Sequence, residues 1–468
     1  MASRTVTRPN IVLIISDDQG AWALGAAGNP EIHTPNLDAL AAGGTRFSNF
    51  FCTSPVCSPA RATLFTGQPP SKHGVHDWIS ARHVGNEGVN YLEGQPLVTD
   101  VLSDHGYRCG LSGKWHLGAN DQPRKGFEHW FAHQLGGGPY YDAPVVRVGE
   151  LINEPRYLTE AIGDDALSFL ASADAFAEPF WLSMNFTAPH APWKDNHPQE
   201  FVKLYQDAEF SSCPQEPDHP WTRYNDGGWP IGREQDVRQS LIGYFAAISA
   251  MDEQIGRVVD DLRDRGLLES TVIMFLSDNG HSCGQHGIWG KGNGTYPLNM
   301  YEEAVKVPAI ISMPGTIPAQ VCDELISGYD LAPTLLELAG VRSDALGDGP
   351  GSSFADVITG NGQSRQRVVI FDEYGATRMI RTRQWKYVLR RGDEPDELYD
   401  LDADPGERTN LVDDPAQRER VAELRGQLEG WFDRYADPVH DSSNLDVTGL
   451  GQTDVLGGRG RGALPVTS

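Results

Sequence analysis

Two short apolar runs of this chain end in the same way. Asn10–Ile15 leads into Ser16-Asp17-Asp18, and Thr271–Leu276 leads into Ser277-Asp278-Asn279-Gly280. Runs this short, unbroken by charge and dense in Ile, Val and Leu, read as strands buried on both faces, which is the habit of parallel sheets covered by helices. In open α/β sheets ligands bind beyond the carboxyl ends of the strands. Both acidic clusters sit at such an end. Asp and Asn at one strand end are ordinary turn residues. The same cluster at two strand ends predicts an all-oxygen site for a hard cation, Ca²⁺ more readily than Zn²⁺ and with Mg²⁺ as the other candidate, because three close carboxylates would otherwise repel one another. The predicted ligands are Asp17, Asp18, Asp278 and Asn279.

The rest of the chain fits the same architecture. A helix opens at Thr34-Pro35 and stops at Gly43-Gly44. Pro96–His105 reads as a helix closed by Gly106, followed by a strand over Tyr107–Leu111. Phe180–Phe186 and Pro308–Ser312 read as further strands. Val237, Leu241, Tyr244, Phe245, Ile248, Met251, Ile255, Val258, Val259 and Leu262 form a 3.6-residue stripe ended by Gly266. Strand-helix alternation predicts an α/β fold with a large, mostly parallel sheet sandwiched by helices. Beyond about Gly360 the pattern changes. Arg367–Phe371, Thr377–Arg381 and Trp385–Leu389 are close-spaced, hence antiparallel, and a helix carrying Val421, Leu424, Leu428, Trp431, Phe432 and Tyr435 follows. The expected division is a catalytic α/β domain over 1–363 and a small α+β subdomain over 364–468, ending in a loosely ordered Gly-rich tail from about Asp441.

At 468 residues the chain is long enough for both. Its formal charge of -26 argues against nucleic acid or an anionic membrane surface as a partner. A small anionic substrate stays compatible, since charges beyond a Debye length of roughly 8 Å are screened. Met1–Asn10 is polar and basic, and Ile11–Ile15 is too short for a leader core or a membrane span, so the expected location is cytoplasmic. The six cysteines, Cys52, Cys57, Cys109, Cys213, Cys283 and Cys322, are too few for a disulfide framework.

The stretch Cys57-Ser58-Pro59-Ala60-Arg61 running to Thr66-Gly67 carries the most chemistry. Ser58 and Pro59 fit the first turn of a helix, and Gly67 its end. Residue 57 therefore stands at the positive end of a helix, with Arg61 one turn on and able to reach an oxygen there. A lone cysteine so placed reads as readily as a buried thiol. Gly113-Lys114-Trp115-His116-Leu117-Gly118 places a cation and an acid-base group on one side of an extended chain, with the indole on the other. His190 lies in Pro189-His190-Ala191-Pro192, where the prolines stiffen the loop. Lys291 lies in Gly290-Lys291-Gly292. Alone, His190 reads equally as a packed loop histidine and Lys291 as an exposed lysine.

Together these segments resemble the sulfatase family, whose signature C-x-P-x-R-x-x-x-x-T-G matches Cys57 to Gly67. The resemblance covers Asn10 to about Met313 for the motifs and extends less specifically to about Asn410, through Glu397-Leu398-Tyr399-Asp400-Leu401. It departs after Asp17-Asp18, where Gln19-Gly20-Ala21-Trp22 follows in place of the L-G-Y of the D-D-L-G-Y form common in arylsulfatases. It implies an alkaline-phosphatase-like fold and hydrolysis of a sulfate monoester, aryl or carbohydrate. It implies that a maturation enzyme oxidises Cys57 to formylglycine, whose hydrate is the nucleophile, and that calcium binds at Asp17, Asp18, Asp278, Asn279 and residue 57. Lys114 and Lys291 then contact sulfate with Arg61. His190 protonates the leaving oxygen, and His116 takes a proton from the second hydroxyl as sulfate is eliminated. Trp22, Trp78, Arg82, His83, Tyr140, Tyr141 and Trp193 fall near the motifs and are candidate substrate contacts, with Trp78 and Trp193 foremost, beside Lys114, His190 and Lys291. The alternatives are a phosphonate or phosphate monoester hydrolase of the same superfamily, and a non-hydrolytic anion- or metal-binding protein if Cys57 stays a thiol.

Overall fold

The computed structural model describes residues 8–80, 88–173, 178–360, 362, 365–371, 373–443, 445, 447 and 449–456. A ten-stranded sheet forms its centre. In chain order its strands are Asn10–Ser16 (β1), Thr45–Phe47 (β2), Arg108–Lys114 (β3), Phe127–His133 (β4), Ala143–Arg147 (β5), Glu150–Glu154 (β6), Phe180–Asn185 (β7), Thr271–Ser277 (β8), Ala309–Ser312 (β9) and Gln320–Cys322 (β10). They lie in the order β10-β2-β9-β8-β1-β7-β3-β4-β5-β6. The central strands β8, β1, β7, β3 and β4 are mutually parallel. β9 is antiparallel to both of its neighbours.

Strand alternation sends successive side chains to opposite faces, and β1 builds two cores from it. Ile11, Leu13 and Ile15 join a core with Ala62, Leu64 and Phe65 of helix α1 (Cys57–Thr66). Val12 and Ile14 join the other, with Leu241, Phe245 and Ile248 of helix α2 (Val237–Asp264). The Asp236 carboxylate caps α2 by accepting from the Gln239 amide, and Gly266 just past its end takes φ +69°. Sheet and covering helices are thus the expected sandwich. Among the described residues no helix is long and apolar enough to cross a membrane.

Arg367–Phe371 (β11), Thr377–Thr382 (β12), Trp385–Arg390 (β13) and Glu397–Asp400 (β14) form a separate four-stranded antiparallel sheet. Leu424, Leu428 and Phe432 of helix α3 (Arg418–Tyr435) cover it, against Val369, Phe371, Ile380, Tyr387 and Leu398. The expected boundary at 363/364 falls on two residues outside the described ones.

Three features differ from the sequence expectations. β2, β4, β5, β6, β10, β14 and a helix over Leu158–Ala173 are among the additional elements. β6 is an edge strand with four of its five residues exposed, so it carries no apolar periodicity. The helix near Pro96 is shorter, Val98–Asp104. The third difference lies in the described part of the tail expected to be loosely ordered. Gln452 is buried, its side chain accepts from the His76 amide at 2.7 Å and donates to the Gly74 carbonyl at 2.9 Å, and its amide donates to the Trp78 carbonyl at 2.8 Å. One side chain satisfies a backbone segment that would otherwise be buried unpaired.

Leu182 on β7 is fully buried opposite Val12. Leu182→Ala should lower unfolding free energy by about 2–5 kcal/mol, since rigid neighbours cannot fill the cavity. Urea unfolding followed by tryptophan fluorescence checks this; a loss under about 1 kcal/mol would show a core able to collapse around the gap.

Candidate active site

The register of β1 against β8 creates the site. Ile15 pairs with Leu276 and Ser16 with Ser277, so both chains leave the sheet at the same level. The Asp278 amide donates to the Ser16 carbonyl at 3.1 Å, which brings Asp17 and Asp278 side by side. Asp18 turns back with φ +65°, and its amide donates to Asp278 Oδ1 at 3.3 Å. The carboxylates of Asp17, Asp18 and Asp278 and the Cys57 sulfur offer ligand atoms all within 4.8 Å of one another, every residue buried. Asn279 Nδ2 donates to Asp18 Oδ1 at 2.7 Å, leaving Asn279 Oδ1 buried without a partner. Three carboxylates, an amide oxygen without a partner and residue 57 are a donor set that fits a hard divalent cation.

Cys57 begins α1, and Gly67 ends it with φ +68°. Its sulfur lies 3.2 Å from Asp17 Oδ1 and 2.7 Å from Lys291 Nζ. Burial, and next the Asp17 carboxylate, push the thiol well above its ordinary pKa. Lys114, the last residue of β3, reaches Asp17 Oδ2 at 2.5 Å, and Lys291 reaches Asp18 Oδ1 at 2.5 Å. Arg61 does not bond residue 57. Its Nε donates to Asp278 Oδ2 at 2.8 Å and its Nη1 to the Lys114 carbonyl at 3.4 Å, while Nη2 is buried without a partner.

Charge partners split the three carboxylates. Burial raises each, but Lys114 foremost holds Asp17 well below the usual carboxylate range, and Lys291 foremost holds Asp18 at about 2. Asp278 is pushed up to about 6, by burial and then by Asp17, against the pull of Arg61. Against burial, Asp18 foremost keeps Lys291 protonated.

The two histidines stand on the rim of a cavity of about 500 Å³ lined by Cys57, Trp78, Ile79, His116, Leu135, Gly136, Gly137, Gly138, His190, Lys291 and Asn293. His116 is not reached along an extended chain. β3 ends at Lys114, and His116 takes φ +55°. Its Nε2 donates to the Ile79 carbonyl at 3.1 Å, so Nδ1, which has no partner, is the unprotonated nitrogen. Burial, then Lys114, lower its pKa well below the ordinary value. Trp115 turns into the core against Phe65 and Trp130, as expected. His190 donates from Nδ1 to the Ala191 carbonyl at 2.7 Å, and its own carbonyl accepts from the Tyr140 hydroxyl at 2.7 Å. Its Nε2 lies 3.7 Å from Asp18 Oδ2.

The candidate contacts divide. Trp78 lines the cavity. Trp193 is 2% exposed and packs behind the site against Tyr244, His281 and Trp289. Tyr140 is buried behind His190, Trp22 stacks on Tyr244, and Tyr141 is exposed. Arg82 and His83 lie outside the described residues. The structure adds His281, buried with Nδ1 3.9 Å from Asp18 Oδ2 and lowered to about 4, chiefly by burial. Its signal was its place three residues after Asp278. Asn293, Ile79 and the three glycines are further additions.

Comparison with known proteins assigns the class. The family described as Sulfatase matches residues 9–341, and the family described as N-sulphoglucosamine sulphohydrolase, C-terminal, matches residues 284–433. Among curated relatives, the choline-sulfatase of Rhizobium meliloti is 31% identical, covering 88% of this chain and 84% of that one. Arylsulfatase A of Homo sapiens is 30% identical, covering 86% and 83%. Among solved structures, BT4656 in complex with its substrate D-glucosamine-2-N,6-O-disulfate superposes with a TM-score of 0.79 at 25% identity, over 93% of this chain and 99% of that one. The phosphonate monoester hydrolase of Agrobacterium radiobacter, 21% identical over 92% and 96%, has a TM-score of 0.72 and shows the shared fold. The chain belongs to the sulfatase family. It is an enzyme of that family, a hydrolase of sulfate esters.

Proposed function

We propose that this sulfatase cleaves a carbohydrate or aryl sulfate monoester with residue 57 as the nucleophile, after a maturation enzyme has converted Cys57 to formylglycine. One observation carries the reading: a helix-terminal cysteine, three carboxylates and three buried cations meet where β1, β3 and β8 end. The formylglycine hydrate supplies the attacking hydroxyl and a second hydroxyl through which sulfate is released. A divalent cation, Ca²⁺ before Mg²⁺, held by Asp17, Asp18, Asp278, Asn279 and residue 57, supplies charge neutralisation for the sulfate oxygens.

The chain's own groups do the rest. Lys114 and Lys291 bind and orient sulfate, and Arg61, anchored on Asp278, completes the positive surround. His190, in its imidazolium form, gives its Nε2 proton to the leaving oxygen while Nδ1–H stays bonded to the Ala191 carbonyl. His116 takes a proton at its free Nδ1. Trp78 offers the leaving group a flat apolar face in the cavity. The names of the relatives, which include an N-acetylglucosamine-6-O-sulfatase from Bacteroides thetaiotaomicron, favour a sugar there.

Turnover of a glucosamine 6-sulfate, an aryl sulfate and an aryl phosphonate by matured enzyme tests the reaction. Phosphonate turnover above both sulfates would replace the reading. The cation is tested separately. Chelated protein should bind one Ca²⁺ by calorimetry, and Asp17→Ala should weaken that binding and kcat/KM by at least about 100-fold, more than loss of an outer-shell partner costs. Undiminished Ca²⁺ binding by Asp17→Ala would move the ion elsewhere.

A further inference from the structure

Gly136, Gly137 and Gly138 form one wall of the cavity. None of the three has a positive φ, so backbone conformation does not demand glycine at any of them. Space does. A Cβ on Gly136 would stand 2.3 Å from His116 Nε2 and 2.4 Å from its Cε1. A Cβ on Gly137 would stand 2.6 Å from His190 Cε1 and 2.7 Å from its Nδ1. A Cβ on Gly138 would meet Pro192 Cδ at 2.5 Å, two residues beyond His190. Each of two consecutive glycines therefore leaves the space of a Cβ to a different imidazole.

We propose that Gly136 and Gly137 are positioning residues, a bare-backbone ledge that sets the tilt of His116 and His190 separately. The contact falls on the nitrogen that holds each ring. A Cβ at 136 would meet His116 at Nε2, which donates to Ile79, and a Cβ at 137 would meet His190 at Cε1 and Nδ1, the latter donating to Ala191. A methyl group at either place pushes the ring off its carbonyl, freeing both its orientation and the choice of which nitrogen carries the proton. The consequence for turnover rests on the roles proposed above for the histidines, whereas the steric consequence does not.

The experiment combines Gly137→Ala with His190→Ala in a cycle, and Gly136→Ala with His116→Ala in another. Misplacement of a reacting group by about 1 Å can cost on the order of 100-fold. Gly137→Ala should lose roughly 10- to 100-fold in kcat on a sugar sulfate and much less on a nitrophenyl sulfate. In the His190→Ala background the same change should cost less than about twofold, because the ring it displaces is gone. Melting temperature reads the steric part alone: Gly137→Ala should lower it, and Gly137→Ala with His190→Ala should match His190→Ala. Should Gly137→Ala fail to fold, folding of the double variant would still support the contact. Failure of both, or equal losses with and without the imidazole, would overturn it. A normal cycle in melting temperature with no dependence on leaving group would instead displace the role given to His190 and leave the ledge in place. The Gly136 cycle is read in the same way, with losses on both substrates alike.

Discussion

Cys57→Ala should lose turnover of every sulfate ester by at least about 10⁴-fold, the scale on which removal of a covalent nucleophile acts. The expectation comes from what the surroundings do to position 57. The residue stands at the first turn of α1, beside Lys291 and within 3.2 Å of an Asp17 oxygen. Burial and that carboxylate hold an unconverted thiol neutral, and a neutral thiol is a poor nucleophile. Oxygen chemistry at this position therefore requires conversion of the side chain. Alanine removes one sulfur atom from a polar pocket and leaves Val56, Ser58 and the helix backbone untouched. Ser58 Oγ still accepts from the Ile79 amide, which keeps the Trp78–Ile79 wall in place. Circular dichroism and melting temperature should stay near wild type. The measurement is kcat/KM on two sulfate esters, with the mass of the peptide bearing residue 57 in the parent enzyme establishing its conversion. Substantial activity in Cys57→Ala would remove residue 57 from the chemistry.

Much of this site was readable because its parts are local. A strand ending in Ser-Asp-Asp or Ser-Asp-Asn announces itself within a few residues, and in-register parallel pairing of β1 with β8 does the rest. The G-K-x-H segment is equally local, although its geometry differs: β3 stops at Lys114, and a left-handed residue at His116, not an extended chain, delivers the imidazole. Less was readable wherever a contact joins distant parts of the chain. Arg61 finds Asp278, 217 residues away. Gln452 ties a Gly-rich tail to the segment behind Trp78, some 376 residues earlier in the chain, and nothing in the tail's composition signals it. Trp193 shows the limit from the other side. An aromatic residue near a motif can face the cavity or back it, and only packing against Tyr244 and Trp289 decides that it backs it. The glycine run is visible as a run, but a close approach to two imidazoles has no signature in the sequence.

His190→Ala should slow an alkyl or sugar sulfate by about 10²- to 10⁴-fold and a nitrophenyl sulfate by less than about tenfold. A sugar alkoxide is a poor leaving group and needs its proton as the bond to sulfur breaks, while nitrophenolate departs unaided. His190 is the residue proposed for this task, from its setting. β7 ends at Asn185, and the loop beyond it is tied down by the His190 amide donating to Thr187 and by Tyr140 donating to the His190 carbonyl. The ring is fixed through Nδ1 and, at 29% side-chain exposure, opens onto the cavity where a leaving group would sit. His116 is buried, is held at Nε2, and keeps a free nitrogen under conditions that disfavour its charged form. A buried neutral imidazole suits a base, and a partly open one, held at Nδ1 with Nε2 3.7 Å from Asp18 Oδ2, can carry at Nε2 the second proton an acid needs. His116→Ala should accordingly slow both substrates by similar factors. A His190→Ala variant that loses the same factor on both, beside a His116→Ala variant whose loss follows leaving-group basicity, would exchange the two assignments.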